Sequence, residues 1–360
     1  MNLNILKGIL VLLVVVDHND FSRSLFPRFL DGFSFHVVGF LMIPFLKPAA
    51  PWSKDFPAYL FRLYYPFMLI VTLMAVVVAW LGPVTAIEQT GRWLLALYSA
   101  NSGILKEVTH MALLWYLPSF ISLVSLRMAI ENSSAATKAC AIGLLCIAHV
   151  FVGTYAASIR DYVPLGLLPA LYVLPLAYLG VFVHRKVYAR FPAFASFLAA
   201  LAIFCLVKYL QMRAGLRTEV GFAEVADYRR PAALLLNDLE AVCGVLMLFQ
   251  LARLPLGRLL ELCGRYSLQI YLFHAFIALA IYTMLVRYAG HWTPASLFAL
   301  SLLATVVLTV LLAHVLSRMP LAMRFLFPRS PAELLGRSTS RAPGRTAVSS
   351  SSAIHSDVRQ

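Results

Sequence analysis

Residues 1–20 read MNLNILKGILVLLVVVDHND, and the difficulty lies at the end of the stretch. Nine apolar residues, Gly8 to Val16, run straight into Asp17 and His18 without a polar spacer. At about 1.5 Å per residue the run covers roughly 14 Å, about half of a bilayer's hydrocarbon core. A helix that meets ionisable groups so early either ends in the headgroups or lines a wet cavity, because a charge facing lipid costs several kcal/mol.

The rest of the chain makes the membrane the right frame. Hydrophobic residues are 61% of the 360 and charged residues 13%, about half the charged share of a soluble domain. Long apolar runs recur, among them FMLIVTLMAVVVAWLG, ALLWYLPSFISLVSL and LFALSLLATVVLTVLLAHVL, each near the length of a bilayer span. The first run has the basic residue of a secretory signal but no small-residue cleavage site after it, so it is expected to stay as a first helix. The pattern predicts an all-α polytopic bundle of about ten helices, near 4–19, 33–50, 63–82, 111–130, 138–157, 164–183, 193–211, 232–251, 266–287 and 296–318.

The net charge of +14 does not call for nucleic acid. With the N-terminus inside, the inner segments hold more Lys and Arg than the outer loops, which also carry carboxylates. This bias places both termini in the cytoplasm. Residues 1–328 form the expected transmembrane domain. Residues 329–360, rich in Ser and Arg, bury too little surface to fold and are expected to be a disordered cytoplasmic tail. Five cysteines lie in or beside apolar runs without metal-ligand spacing, which predicts buried, reduced thiols and no metal site.

Lys7 and His18 are eleven residues apart, close to three helical turns, so they share one face about 16 Å apart along the axis. His36 lies about one turn inside the second apolar run, at a depth similar to His18, where the two can face each other. His149 and His314 also sit in apolar runs and are expected to be hydrogen-bonded in place. The cluster NDLE, Asn237 to Glu240, follows Arg229 and Arg230. It is expected to pair with those arginines, or else to touch a substrate.

Five stretches, in order, resemble the integral-membrane acyltransferase-3 family, and within it the fucose-4-O-acetylase-like branch. They are Lys7 and, after ten intervening residues, His18, FSFHVVGFLMIPF around His36, FRLYYPF with Arg62 and Pro66, LLWYLPSF at residues 113–120, and GRYSLQIYLFHAF with His274. The resemblance implies a multi-pass protein of the bacterial inner membrane. Its implied reaction moves an acyl group, usually acetyl from acetyl-CoA, to a hydroxyl of a sugar, lipid-linked saccharide or polysaccharide at the outer face. No cofactor is held permanently; acetyl-CoA or another acyl-CoA is the donor.

The chemistry of that reaction assigns roles. Acyl-CoA is polyanionic, so its phosphates need cations at the inner end, where Lys7, Arg62 and Lys54 are the candidates, with Lys47 nearby. A sugar hydroxyl needs a base within hydrogen-bond reach, for which His18 is the candidate. His36 is the candidate for orienting the acceptor or steadying the oxyanion. Trp115, Tyr116, His274 and Asp17 are candidates for binding the acceptor; Asp17 lies about 100° around the helix from His18, so a carboxylate to orient the base can equally be Asp20 or one from another helix. No Ser or Cys stands in a nucleophile motif, which favours direct transfer over an acyl-enzyme. The rival is a proton-coupled carrier or flippase, which also uses intramembrane histidines but often shows repeats and paired broken helices, absent here. A non-catalytic scaffold would leave Lys7, His18 and Arg62 without a joint purpose.

Overall fold

The computed structural model describes residues 1–25, 35–48, 57, 60–81, 86–109, 112–159, 162–215, 231–289, 291–328 and 330–335. All regular structure among them is helical. The α-helices are α1 (Leu3–Asp17), α2 (Asp20–Leu25), α3 (Phe35–Met42), α4 (Tyr65–Leu81), α5 (Ala86–Ser99), α6 (Ser102–Thr109), α7 (Tyr116–Glu131) and α8 (Ala135–Ile159). They continue as α9 (Leu167–Lys186), α10 (Ala193–Arg213), α11 (Pro231–Leu251), α12 (Arg258–Arg265), α13 (Ser267–Ala289), α14 (Pro294–Ser317), α15 (Pro320–Leu326) and α16 (Pro331–Leu334).

Eight helices among the described residues are long and apolar enough to cross a bilayer. The first two runs give shorter elements: α1 has 15 residues, and α3 passes at Pro44 into a 3-10 turn that ends at Leu46. The polytopic bundle is as the sequence predicts, with two of its ten helices cut short by polar or proline residues.

α1 explains the packing. Asn2 caps it, its side-chain oxygen accepting from the amides of Asn4 and Ile5. Leu6 and Leu10 join one core with Phe35, Leu41, Leu174 and Phe249, while Val11, Val14 and Val15 join another with Phe67, Leu105, Leu117 and Ile270. A helix buried on both sides is apolar all round, which hides any one-faced pattern. Two glycines let α12 lie directly on α1. A Cβ on Gly8 would stand 1.9 Å from the Leu260 carbonyl oxygen, and one on Gly264 1.7 Å from that of Asn4.

The outer surface of the bundle is apolar; Trp80 is 83% exposed and Leu303 63%, as expected of lipid-facing positions. The cysteines depart from expectation here. All five are free, but only Cys263 is buried, and Cys140, Cys146 and Cys205 face outward. An apolar helix needs no core to accept a thiol when its surroundings are themselves apolar. Between α4 and α7, where the sequence suggested a loop, α5 and α6 fold back on α4. Trp93 Nε1 donates to Thr72 Oγ1 at 3.1 Å and Gln89 Nε2 to the Ala75 carbonyl at 3.3 Å.

Candidate functional site

The stretch that posed the first question stops the helix and places an imidazole. The His18 amide donates to the Val14 carbonyl at 3.1 Å and that of Asn19 to Val16 at 3.2 Å. Asn19 then caps α2, its Oδ1 accepting from the Phe21 amide at 3.0 Å. The His18 ring is left stacked on His274, centroids 5.5 Å apart and planes 28° from parallel.

His274 is wholly buried. Its Nδ1 faces the carbonyls of Ile270 and Tyr271 at 3.0 and 2.8 Å. Only an N–H can bond there, so the proton is on Nδ1, and in the neutral ring Nε2 is an acceptor. His36, on α3, is equally buried, with Nε2 3.9 Å from Asp17 Oδ2. The structure thus brings His18, His36, His274 and Asp17 to one end of α1. The sequence linked the first two; the nearness of Asp17 to His36 had no signal in spacing.

Aromatic rings continue from this group. Tyr271 lies 6.3 Å from His274 and 5.3 Å from Tyr116, which also meets Phe40 and Phe120 at 5.9 Å each. The Tyr271 hydroxyl donates to the Leu113 carbonyl. Trp115 stands edge-on to Tyr116 at 6.4 Å. Tyr271 escaped the sequence reading although it lies three residues before His274, on the same face.

The other end of α1 collects cations. Arg62 sits in a π-helical turn, Leu60–Tyr64. Pro66 has no amide to offer the Arg62 carbonyl four residues back, which accounts for the wider turn. The charges of Arg62 and Lys47 act on half-buried Lys7. Among the described residues none of these three side chains forms a hydrogen bond or ion pair. Lys54 lies outside the described residues.

Neighbouring arginines are already engaged. Arg127 bonds Glu131 at 2.6 Å, the Lys47 carbonyl at 2.6 Å and the Pro44 carbonyl, and Arg185 bonds the carbonyls of Phe45 and Leu46 at 3.2 and 3.0 Å. These two hold the orphan carbonyls where α3 breaks off, and so fix the turn that carries Lys47.

A second polar cluster lies between α8, α9, α10 and α11. His149 bonds the Tyr172 carbonyl through Nδ1 at 2.7 Å and faces Asp238 Oδ2 through Nε2 at 2.9 Å. The Tyr172 hydroxyl donates to Asp238 Oδ1 at 2.5 Å and accepts from Asn237 Nδ2 at 2.9 Å. Lys208 Nζ pairs with Glu240 Oε1 at 2.6 Å, both buried. The NDLE carboxylates therefore meet partners on other helices, while Arg229 and Arg230 lie outside the described residues. Helical spacing turns Asn237 and Glu240 inward together, a periodicity the charge pattern alone concealed. His314 is held by the Tyr266 hydroxyl at 3.1 Å.

The structure is thus a helical bundle in which α1 carries cations near one end and histidines near the other. A family model described as an acyltransferase domain matches residues 2–314, and the chain belongs to that family. No curated protein and no solved structure matches the chain.

Proposed function

We propose that this membrane acyltransferase is an O-acetyltransferase of the fucose-4-O-acetylase-like branch, moving an acetyl group from cytoplasmic acetyl-CoA to a glycan hydroxyl on the far side of a bacterial inner membrane. The observation that supports this is α1 itself: Lys7 near its start lies within reach of the charges of Arg62 and Lys47, and His18 caps its other end, stacked on His274.

In this reading Lys7, Arg62, Lys47 and Lys54 hold the phosphates of the donor. The acceptor oxygen attacks the thioester carbonyl as His18 takes its proton. The resulting oxyanion is met by an N–H of His36, whose charge Asp17 offsets. The intermediate then collapses with cleavage of the C–S bond, and the thiolate takes the proton back from His18. The products are an ester and free coenzyme thiol, with no net change in protons. Trp115, Tyr116 and His274 border the acceptor, and direct transfer needs no acyl-enzyme.

The test is sided. The purified protein, reconstituted in vesicles, receives radiolabelled acetyl-CoA at the face bearing Lys7 and a glycan pool at the other. Label on the glycan is the expected result. Label that stays on the coenzyme, with glycan carried across unmodified, would replace the enzyme by a carrier.

A further inference from the structure

Four consecutive backbone carbonyls beyond α3, from Pro44 to Lys47, are received by two guanidinium groups from other helices. Arg127 of α7 donates to Pro44 and, at 2.6 Å, to Lys47. Arg185 of α9 donates to Phe45 at 3.2 Å and to Leu46 at 3.0 Å. A helix end ordinarily leaves such carbonyls to water or to a cap of its own. Arg127 is 5% exposed, and its charge is offset by Glu131, bonded at 2.6 and 3.3 Å. Its guanidinium carbon also stands 4.7 Å from the centre of the Phe45 ring. With all three nitrogens engaged, the Arg127 fork is a fixture of the fold and not a ligand for phosphate.

The two parts of this segment are held by different means. α3 itself is fixed by packing: Phe35, Val38, Leu41 and Met42 are wholly buried, and a Cβ on Gly39 would stand 2.6 Å from Leu10 Cδ2 of α1. Of the side chains in the 3-10 turn that follows, Phe45 alone is buried. Lys47 comes next, with its side chain exposed, and its charge acts on Lys7 of α1. A flexible four-carbon stem keeps its ammonium near one place only when the backbone beneath it is fixed. The place of Lys47 beside Lys7 therefore depends on the two arginines, whereas the place of His36 does not.

We propose that Arg127, supported by Arg185, is a positioning residue for the acyl donor. It touches no substrate and acts by holding the Lys47 backbone, so that the Lys47 ammonium joins Lys7 and Arg62 on the donor's phosphates. This rests on the acetyl-transfer reading above and adds to it the part of the fold that sets donor affinity. Because α3 is held by its own packing, His36 keeps its place when the turn is released. Loss of the clamp therefore weakens donor binding and spares the chemical step.

The experiment is a double-mutant cycle on the purified full chain. The unaltered protein, Arg127→Gln, Lys47→Ala and the double variant are compared by equilibrium dialysis with radiolabelled acetyl-CoA in the absence of acceptor. Each single variant should bind the donor more weakly on the order of 10-fold, as for loss of one contact to a charged group. The double variant should bind no more weakly than Lys47→Ala alone. In transfer to the glycan pool, Arg127→Gln should show a raised KM for acetyl-CoA with kcat retained. Arg127→Lys, which returns the charge without the fork, should recover only part of the affinity. Arg185→Gln leaves Arg127 and Glu131 in place and should give the same change at smaller size, which keeps the test open if Arg127→Gln does not fold. Additive losses in the double variant overturn the proposal, because Arg127 would then meet the donor itself. Unchanged donor binding in the arginine variants overturns it too, as does a fall in kcat with KM unchanged; in each case acetyl transfer stands. If the unaltered protein neither binds nor uses acetyl-CoA, both fall.

Discussion

The two polar clusters of this bundle use the same residue types and are finished differently. In the His149 cluster, both ring nitrogens of the histidine and both oxygens of Asp238 have partners on neighbouring helices. In the His18 cluster, His274 spends one nitrogen on its own helix and keeps the other unused among the described residues. A satisfied network rigidifies the helices that build it. An unsatisfied one is a cost that the fold bears where a ligand completes the set. The contrast is between the two histidines rather than between whole clusters, since Asn237 Oδ1 beside Tyr172 is also buried without a partner among the described residues.

The largest effect that would break this distinction is on turnover. His18→Ala is expected to lower acyl transfer by about 100-fold to 10,000-fold, the range for loss of a general base, with normal amounts of folded protein. His149→Ala should leave transfer per folded molecule unchanged and lower the unfolding temperature in detergent. Were the two to exchange phenotypes, the clusters have been assigned the wrong way round.

Next in size is the ion pair of the His149 cluster. Lys208 and Glu240 have side chains 5% and 1% exposed, so Lys208→Met strands a carboxylate and should cost about 3–5 kcal/mol of stability. Adding Glu240→Leu should recover most of that loss, since an apolar pair of similar volume carries no charge to desolvate. Thermal unfolding of the single and double variants distinguishes a stabilising pair from a merely compensated one. A double variant as unstable as the single would mean that Glu240 has a further role.

Much of the fold was legible because the membrane imposes a simple pattern, long apolar runs with little between them. Ten helices emerged near their predicted places, and the polar interruption at Asp17 and His18 marked the true end of α1. Short amphipathic helices were not legible. α5 and α6 are too brief and too polar for the span signal, and they are fixed by contacts such as Trp93 to Thr72 rather than by composition. At the site, periodicity could relate Lys7 to His18 because one lies on α1 and the other caps it. It could not place Asp17 beside His36 or His274 under His18, since those meetings depend on how separate helices pack. Nor could charge alone tell the engaged Arg127 and Arg185 from Arg62, whose side chain has no hydrogen-bond partner among the described residues; that depends on where α3 breaks and leaves carbonyls to be filled.

The smallest effect sharpens the comparison within one helix. Tyr172 and Tyr178 both lie on α9, but the hydroxyl of Tyr172 donates to Asp238 and accepts from Asn237, whereas that of Tyr178 is buried with no partner among the described residues. Tyr172→Phe removes two bonds and leaves a carboxylate oxygen and an amide unserved, so it should cost about 1–3 kcal/mol. Tyr178→Phe removes only a group that was paying desolvation for nothing, and should be neutral or slightly stabilising. Unfolding temperatures of the two variants, measured side by side, give the contrast. A cost at Tyr178 equal to that at Tyr172 would mean that its hydroxyl is filled in the membrane, and that an unfilled atom in this bundle is no guide to where a ligand binds.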